Sequence, residues 1–449
     1  MRELLPVTMV LAVAVFVFYV AQRGLERRRE VPVLGLVLFL HVAGAFAQVL
    51  ITEGYYGGGD ALFYHRQAQV LGYHVTADAA RYFPEILRLV VQLEARLPVY
   101  VIGAGGPTGT MQGLTTLLSI PLQSSVYAIS VAYSLAAFVG FRALYQVFRE
   151  RFEAKHHPFI LLAVAGLPSV VFWTSGILKE AVAMAFLGWM VLGAHRLSQG
   201  RWVAGGGMAL VGIFGASLVK GYIVLVFLLA GAVLIYWHRA VRPDGTLRGR
   251  PVYFVGLAVI AVVAVIGFGR IFPRYSFAEA IEETHHLQVV GIRASGGSNY
   301  ELGRAEQTLL SQAALAPFAL VTVLFRPLPF EAPGATGAVN SAETLAVTLL
   351  VAWVLYRQKW RDLLAMVRGS PFLMASVVFI LLGGVGIGLA TTNLGTLSRY
   401  RVPLMPFIMG TLVVLYRVRP VPLPSPRGAA HPARRPVRGS APSAPLDTR

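Results

Sequence analysis

The chain has 449 residues, of which 56% are hydrophobic and 13% charged, whereas soluble domains carry about 25% charged residues. This composition excludes an ordinary soluble globular protein, and the absence of cysteine excludes disulfides, thiol nucleophiles and zinc–thiolate sites. The net charge of +18 comes almost wholly from arginine, and the basic residues lie in short segments between apolar runs. That distribution is typical of membrane topology and contact with anionic lipid rather than of nucleic-acid binding.

Long apolar runs follow one another along most of the chain. A membrane-spanning helix needs about 20 apolar residues, so the sequence predicts an all-α, polytopic transmembrane bundle of about eleven helices. The predicted spans are residues 4–22, 32–52, 124–147, 158–174, 179–196, 202–219, 221–237, 252–270, 339–356, 371–390 and 403–417. A further apolar stretch, 308–326, contains Pro317 and is interpreted as re-entrant or interfacial rather than as a full crossing.

The basic residues orient the predicted bundle. If the spans alternate, the arginine- and lysine-rich short segments all fall on one side, which the positive-inside rule assigns to the cytoplasm. These segments are residues 23–29, 149–155, 196–201, 239–250 and 357–368. The sequence therefore predicts an N-terminus outside and a C-terminus in the cytoplasm. The first apolar run is interpreted as a retained helix rather than a signal peptide, because the basic segment follows it.

Two long loops, about 52–123 and 271–340, are then predicted to be extracytoplasmic. The first contains stretches with mixed apolar and charged faces, 60–71 and 79–97, which are typical of helices lying on a membrane surface. Residues 1–418 are predicted to form one membrane domain. The segment 419–449 holds eight prolines and six arginines, so a disordered cytoplasmic tail is predicted there.

One acid and several cations are predicted to meet at the extracytoplasmic side. Asp60 follows a run of three glycines and is the candidate general base, since a carboxylate can take the proton of an attacking hydroxyl. Cations offset the charge that develops on a departing phosphate. The candidate phosphate- and lipid-donor-binding residues are Arg399, Arg401, Lys179, Lys220, Arg326 and Arg293. The candidate substrate-binding residues are Tyr64, His65, Arg66, Trp173, Glu180, Tyr222, Ser298, Glu331, Asn393 and Tyr400.

Structural roles compete with each of these assignments. Arg399 and Arg401 are also suited to anchor a helix end at lipid head groups. Asp60 is suited to cap the helix that follows it, and the glycines before it allow close approach of the backbone. Pro403 disfavours helix just before it, so Arg399 and Arg401 are predicted to lie in an extended segment with both side chains on one side. No metal site is predicted, because the histidine pairs at 156–157 and 285–286 have few acids nearby.

The pattern resembles the GT-C superfamily of membrane glycosyltransferases, which use sugars carried on polyprenyl phosphate or diphosphate. Three features carry the resemblance: an acid in an early outer loop, a Pro–Trp–Lys-Glu hairpin, and an Arg-Tyr pair before a last helix punctuated by proline. The matching residues are Asp60, Pro168, Trp173, Lys179, Glu180, Arg399, Tyr400, Pro403 and Pro406. The chain departs from the family in that its acid follows the second helix, and Glu53, seven residues earlier, is not an adjacent partner.

The resemblance implies a glycosyltransferase of cell-surface polysaccharide or glycoconjugate assembly in the bacterial inner membrane. An undecaprenyl-linked sugar or repeat unit would be donated at the periplasmic face to a glycan or lipid-linked acceptor. Expected partners are membrane lipids and other polysaccharide-assembly proteins, with no nucleic acid. No cofactor is required by the residues, and a divalent cation (Mg²⁺ or Mn²⁺) is left open. Two alternatives remain: an exopolysaccharide or O-antigen polymerase with an arginine-based site, and a polysaccharide or lipid-linked sugar flippase.

Overall fold

The computed structural model describes residues 3–240, 251–271, 300, 308–331 and 334–417, together with Glu279 and Glu282. These residues form helices and connecting turns, with no strand among them. The helices are α1 Leu4–Ala21, α2 Glu30–Ile51, α3 Asp60–Ala77, α4 Ala79–Val90, α5 Pro107–Ser119, α6 Val126–Arg151, α7 His157–Ala165, α8 Pro168–Thr174, α9 Lys179–Ser198, α10 Trp202–Ala240, α11 Pro251–Ile271, α12 Leu309–Phe325, α13 Gly334–Arg357, α14 Trp360–Gly369, α15 Pro371–Ala390, α16 Leu394–Tyr400 and α17 Met405–Arg417.

The described part of the chain contains seven helices long and apolar enough to cross a membrane, or eight if the bent pair α7–α8 is one span. They are α1, α2 with its extension to Tyr56, α6, α9, α10, α13 and α15. The predicted all-α fold is thereby confirmed for the described residues, with seven candidate membrane spans, while the number of about eleven spans stays a prediction. The short helix α12 covers the stretch read as re-entrant, and its Ala319 faces Gly388 of α15.

Helix α10 is broken at Lys220, the residue between the predicted spans 202–219 and 221–237. Lys220 has non-helical backbone angles, with φ −148° and ψ 68°. Gly212 before the break packs against Met190 of α9, and Phe227 after it lines a small cavity with Val191, the next residue of α9. Both halves of α10 therefore lie beside the same part of α9, so the chain folds back at Lys220. The two halves correspond to the predicted spans 202–219 and 221–237.

The predicted span 158–174 is two short helices, α7 and α8, bent by 53°. The break separates the Ala165 carbonyl from the Ser169 amide, which would bond each other in a continuous helix. Nε2 of His41, on α2, lies 3.0 Å from the Ala165 carbonyl oxygen. The Ser169 amide donates to the Glu343 carboxylate, on α13, at 2.7 Å. A carbonyl only accepts, so His41 Nε2 carries the proton. Two buried side chains thus satisfy backbone groups that would be costly to leave unpaired inside a membrane.

The first long loop folds into a three-helix unit, α3 to α5, beside the bundle. Its small core is formed by Leu71, Val75, Ile86, Leu89 and Val101. The two predicted surface helices correspond to α3 and α4, but the prediction missed α5, whose threonines and glycines give no apolar period. The sequence signal for α5 is Pro107, at the first helical position. In the structure, Gly113 lets α5 approach α4 closely, since an added Cβ would lie 2.7 Å from Val90.

The bundle has two ends with different polar clusters. The site end is defined by the C-terminal end of α2 and the N-terminal end of α9, where Asp60 and Glu180 are joined through Arg399. At the opposite end, buried Glu30 pairs with Arg149 at 2.9 Å. Other predictions fall outside the described residues, namely Arg293, Ser298, the histidine pair 285–286, half of the loop 271–340 and the tail 419–449.

Candidate functional site

A glycine turn brings Asp60 to the site end. A π-helical turn, Thr52–Tyr56, extends α2 and ends at Gly57, which has φ +63°, and Gly59 has φ +119°. Side chains rarely adopt such angles, so glycine is required there for the turn. An added Cβ at either position would meet no protein atom within 4 Å, so the two glycines serve the backbone turn and pack against no neighbouring segment. Helix α3 then starts with Asp60, where a negative charge is favoured by the helix dipole.

Arg399 joins two carboxylates from distant parts of the chain. Its Nη1 lies 2.7 Å from Asp60 Oδ2, and its Nε lies 2.7 Å from Glu180 Oε1. The same Glu180 oxygen lies 2.7 Å from Lys220 Nζ. The result is a network of two acids and two cations at the site end. We call these four residues the charge network.

Glu180 is the buried centre of the charge network. Its side chain is fully buried in the first turn of α9, and burying a carboxylate is costly unless it is paired. Lys220 is buried too, with Nζ 4.5 Å from the centre of the Tyr400 ring and within 3.3 Å of the Tyr222 hydroxyl. The ammonium group of Lys220 is therefore the counter-charge to Glu180 on the buried side of the charge network. The rings of Tyr222 and Tyr400 pack against that ammonium group.

In front of the charge network lies a cavity of about 700 Å³. The lining residues are Gln48, Thr52, Tyr55, Tyr56, Gly58, Gly59, Asp60, Ala61, Phe172, Trp173, Leu178, Pro327, Thr336, Gly337, Asn340, Asn393, Leu394, Gly395, Thr396, Ser398 and Arg399. Among these described residues only Asp60 and Arg399 are charged. The Asp60 side chain is 48% exposed and that of Arg399 19%, so the carboxylate is accessible from the cavity while the guanidinium is mostly held in the network.

Four aromatic side chains, Tyr55, Tyr56, Phe172 and Trp173, also line the cavity. Trp173 lies on α8, and Arg399 Cζ sits 5.8 Å from the centre of its ring. Tyr64 of α3, a predicted substrate-binding residue, is buried and does not line the cavity. Burial raises the pKa of the Tyr64 phenol, and the nearby charge of Asp60 raises it further. Tyr64 therefore stays neutral, and Asp60 is the carboxylate that faces the cavity.

Three other predicted residues near Asp60 point elsewhere. Lys179 donates to Thr108 Oγ1 at 3.1 Å and lies 5.9 Å from the Tyr64 ring centre, so it ties the bundle to the α3–α5 unit. His65 bonds the Ser124 carbonyl at 2.8 Å, and Arg66 is exposed. None of the three lines the cavity. These three side chains lie on faces of α3 and α9 that are directed away from the cavity.

Contrary to the prediction from the sequence, Arg399 and Arg401 do not lie side by side in an extended segment. Residues 394–400 are helical, with Asn393 capping the helix through the amides of Gly395 and Thr396, and Arg401 continues it with φ −72° and ψ −11°. Neighbours two apart on a helix diverge by about 200°, so the expectation of an extended segment was wrong. Pro403 restricts only the residue before it, and the Asn393 cap decides the rest.

Arg401 is a structural residue of the bundle. It is 1% exposed, its Nη1 donates to the Arg326 carbonyl at 2.9 Å, and its Nη2 donates to Thr344 Oγ1 at 2.7 Å. These bonds join α16 to α12 and α13, away from the cavity. Of the predicted cations, Arg399 is the one within the described residues that lines the cavity.

Arg326 and Glu331 form a separate pair at the rim. Their closest atoms are 2.7 Å apart, and Arg326 Cζ lies 4.7 Å from the centre of the Tyr300 ring. Partial burial raises the pKa of Glu331, but hydrogen bonds from Arg326 and Leu328 N outweigh it and hold the pKa below its usual range. Tyr300 N donates to the Thr392 carbonyl at 2.8 Å. The pair therefore fixes the loop that carries Pro327 to the cavity.

Sequence reasoning missed several cavity residues. These are Gln48, Thr52, Tyr55, Tyr56, Phe172, Thr336, Asn340 and Thr396. The position of the tyrosine pair directly before the glycine run was one available signal, since binding residues are disproportionately found in connecting segments. The polar residues of α13 gave no signal, because their meeting with α2 is a long-range contact.

No cluster of three or more histidine, aspartate or glutamate side chains is placed to hold a metal ion among the described residues. Comparison with protein-family models, with curated proteins and with solved structures finds no match for this chain. The fold and the site define an all-helical membrane-type bundle with a mixed aromatic and charged cavity at one end.

Proposed function

We propose that this chain is a membrane glycosyltransferase that takes a sugar from a polyprenyl-linked donor. The observation that carries the proposal is the cavity itself, which combines an accessible carboxylate, a guanidinium and aromatic side chains at the end of an apolar helical bundle. A lipid-linked sugar phosphate offers a matching set of groups: an apolar tail for the membrane, a phosphate for a cation, and a ring with hydroxyls for aromatic and polar side chains.

The proposed reaction uses the two charged cavity residues in different roles. A hydroxyl oxygen of the acceptor attacks the anomeric carbon of the donor sugar, and a new carbon–oxygen bond forms. The bond from that carbon to the phosphate oxygen breaks, and polyprenyl phosphate or diphosphate leaves with the electron pair. The acceptor proton passes to the Asp60 carboxylate. Arg399 stabilises the negative charge that develops on the departing phosphate.

The charge network supports these roles by fixing Arg399. Its two bonds to Asp60 and Glu180, each 2.7 Å long, hold the guanidinium in one orientation before substrate arrives. A preorganised charge needs no rearrangement as the phosphate leaves, which is how such groups accelerate reactions. The proposed setting is the bacterial inner membrane, with the site end at the periplasmic face and a glycan or lipid-linked acceptor.

A flippase for lipid-linked sugars is the second candidate, and one observation favours it. Transporters often bind their substrates at broken helices, and the break between α7 and α8 is held by His41 and Glu343 within the bundle. A polymerase with a two-arginine clamp has less support, because Arg401 is buried away from the cavity. A polymerase that works through Asp60 and Arg399 would share the proposed chemistry and differ in the size of the transferred unit.

The proposal is tested with purified protein in liposomes that contain undecaprenyl-phosphate- or undecaprenyl-diphosphate-linked radiolabelled sugars. We expect label to move from lipid to a water-soluble or second lipid acceptor, with release of the polyprenyl carrier in equal amount. Scintillation counting of the separated aqueous and lipid fractions follows the label, and mass spectrometry of the lipid fraction measures the released carrier. Movement of intact donor between leaflets without cleavage of the sugar–phosphate bond would instead identify a flippase.

The orientation of the bundle can be tested separately. Reporter fusions after residues 30, 155, 245 and 365 should give cytoplasmic signals, and fusions near 75 and 300 should give external signals. The reason is the arginine distribution over the short connecting segments. Alkaline phosphatase and fluorescent-protein fusions in cells provide the measurement. A cytoplasmic signal at residue 75 would place the cavity on the wrong side for a periplasmic enzyme.

A further inference from the structure

Four uncharged side chains of the cavity take no part in the proposed bond-making and bond-breaking steps. Tyr55 and Tyr56 stand on the π-helical turn at the end of α2, and Thr336 and Asn340 stand on the first turns of α13. All four line the cavity. We propose that they form a saccharide-binding wall for an uncharged sugar ring of the acceptor glycan. This inference rests on the proposed function and names the acceptor subsite within it.

Both tyrosine rings are exposed although they lie in a cavity. Tyr55 is 61% exposed and Tyr56 51%. The two rings pack edge to face, with centres 5.0 Å apart and planes at 83°. An exposed aromatic face in a cavity is covered only when a ligand enters, and a sugar ring offers the flat array of C–H groups that suits such a face.

The wall is held in place by contacts with α13. The Tyr56 hydroxyl donates to Thr336 Oγ1 at 3.0 Å. Tyr55 packs beside Gly334, where an added Cβ would lie 3.1 Å from the tyrosine hydroxyl. These contacts set the ring orientations before a ligand binds, which lowers the entropy cost of binding.

The polar groups of the wall suit hydroxyls rather than phosphate. The side chains of Tyr55, Tyr56, Thr336 and Asn340 are all uncharged, and the amide of Asn340 offers both donors and an acceptor. A phosphate is drawn instead to Arg399, at the charged part of the cavity. The chemical division of the cavity therefore places the phosphate of the donor at Arg399 and a neutral acceptor ring on the tyrosines.

A binding measurement tests the wall without any reaction. Protein in lipid nanodiscs, with no lipid-linked donor, is titrated with the methyl glycosides of glucose, galactose and mannose and with N-acetylglucosamine, and saturation-transfer NMR reports contact with each sugar. We expect at least one of these probes to bind, and we expect Tyr55→Leu and Tyr56→Leu to weaken it by about tenfold, since loss of roughly 1.4 kcal/mol is tenfold in affinity. Leucine keeps apolar bulk but removes the aromatic face.

Matched variants separate the wall from a membrane anchor. Tyr100 is 85% exposed and does not line the cavity, so Tyr100→Leu should bind the probe as the unchanged protein does. If tyrosines 55 and 56 only anchor the bundle at lipid head groups, their leucine variants lower the amount of protein in membranes and leave probe affinity unchanged in the protein that remains. That result, or a failure of the unchanged protein to bind any of the four probes, would contradict the proposed saccharide-binding wall.

Failure of this inference differs from failure of the proposed function. Normal turnover in a protein that lacks the Asp60 carboxylate would reject the proposed chemistry, yet it would leave sugar binding to the tyrosines measurable. If the binding experiment contradicts the wall while the unchanged protein still transfers sugar, only the acceptor subsite is rejected. Because the wall is assigned to the acceptor ring and not to the lipid donor, the leucine variants should raise KM for the acceptor and leave KM for the lipid donor within about twofold.

Discussion

Replacement of Asp60 by asparagine should lower the rate of sugar transfer by roughly 10²- to 10⁴-fold, the usual contribution of a general base. Asparagine keeps the size of the side chain and an oxygen that can accept from Arg399 Nη1, which lies 2.7 Å from Asp60 Oδ2. It cannot take a proton from the acceptor hydroxyl. Initial rates of transfer from undecaprenyl-linked donor, measured at matched protein amounts in liposomes, give the factor.

Asp78 provides the matched control. It too is an aspartate at the start of a helix of the α3–α5 unit, where it accepts from Arg81 N at 3.1 Å, but it does not line the cavity. Asp78→Asn should therefore transfer sugar at the normal rate. Near-normal transfer by Asp60→Asn would remove the base assignment, and it would leave Arg399 as the remaining charged group of the cavity.

Replacement of Arg399 by lysine should lower the transfer rate by about 10²-fold, comparable to the removal of one preorganised charge donor. A guanidinium reaches Asp60 through Nη1 and Glu180 through Nε at the same time. An ammonium keeps the charge but lacks this planar fork, so it cannot hold both carboxylates in the same geometry. The effect should fall on kcat, because the lost interaction is strongest when the phosphate leaves.

Arg196 at the opposite end of the bundle is the control for this change. Its Nη1 and Nη2 lie 2.8 Å and 2.7 Å from the two oxygens of Glu150, so it is an arginine that pairs with a carboxylate through two nitrogens outside the cavity. Arg196→Lys should keep the normal rate. If Arg399 is only an interfacial anchor, lysine replaces it without loss, because either side chain can reach the head groups. Full activity of Arg399→Lys would therefore contradict the role of Arg399 as the group that stabilises the departing phosphate.

Arg401→Lys is expected to behave differently from Arg399→Lys. Arg401 donates to the Arg326 carbonyl and to Thr344 Oγ1 from a buried position. Lysine cannot make both bonds in the same geometry, so the thermal unfolding temperature should fall. Turnover of the protein that remains folded should change less than with Arg399→Lys. The contrast separates a bundle residue from a cavity residue two positions away.

The membrane class and the helical content were decided by composition and by the length of the apolar runs. A run of about 20 apolar residues can satisfy its backbone in a membrane only as a helix, so local sequence suffices for that prediction. The Lys220 break was predicted for a similar local reason, since Gly221 follows a polar residue between two apolar runs. Asp60 was also found locally, because it follows three glycines.

The charge network was decided by tertiary structure alone. Asp60 and Arg399 are 339 residues apart, and Glu180 and Arg399 are 219 apart, so no local pattern shows that they meet. The same holds for His41 and Glu343, which complete the backbone at the α7–α8 break. The sequence by itself determined which residues are ionisable and near helix ends. Packing decided which of them face the cavity, because a helix presents each side chain in one direction and only the neighbouring helices set what lies there.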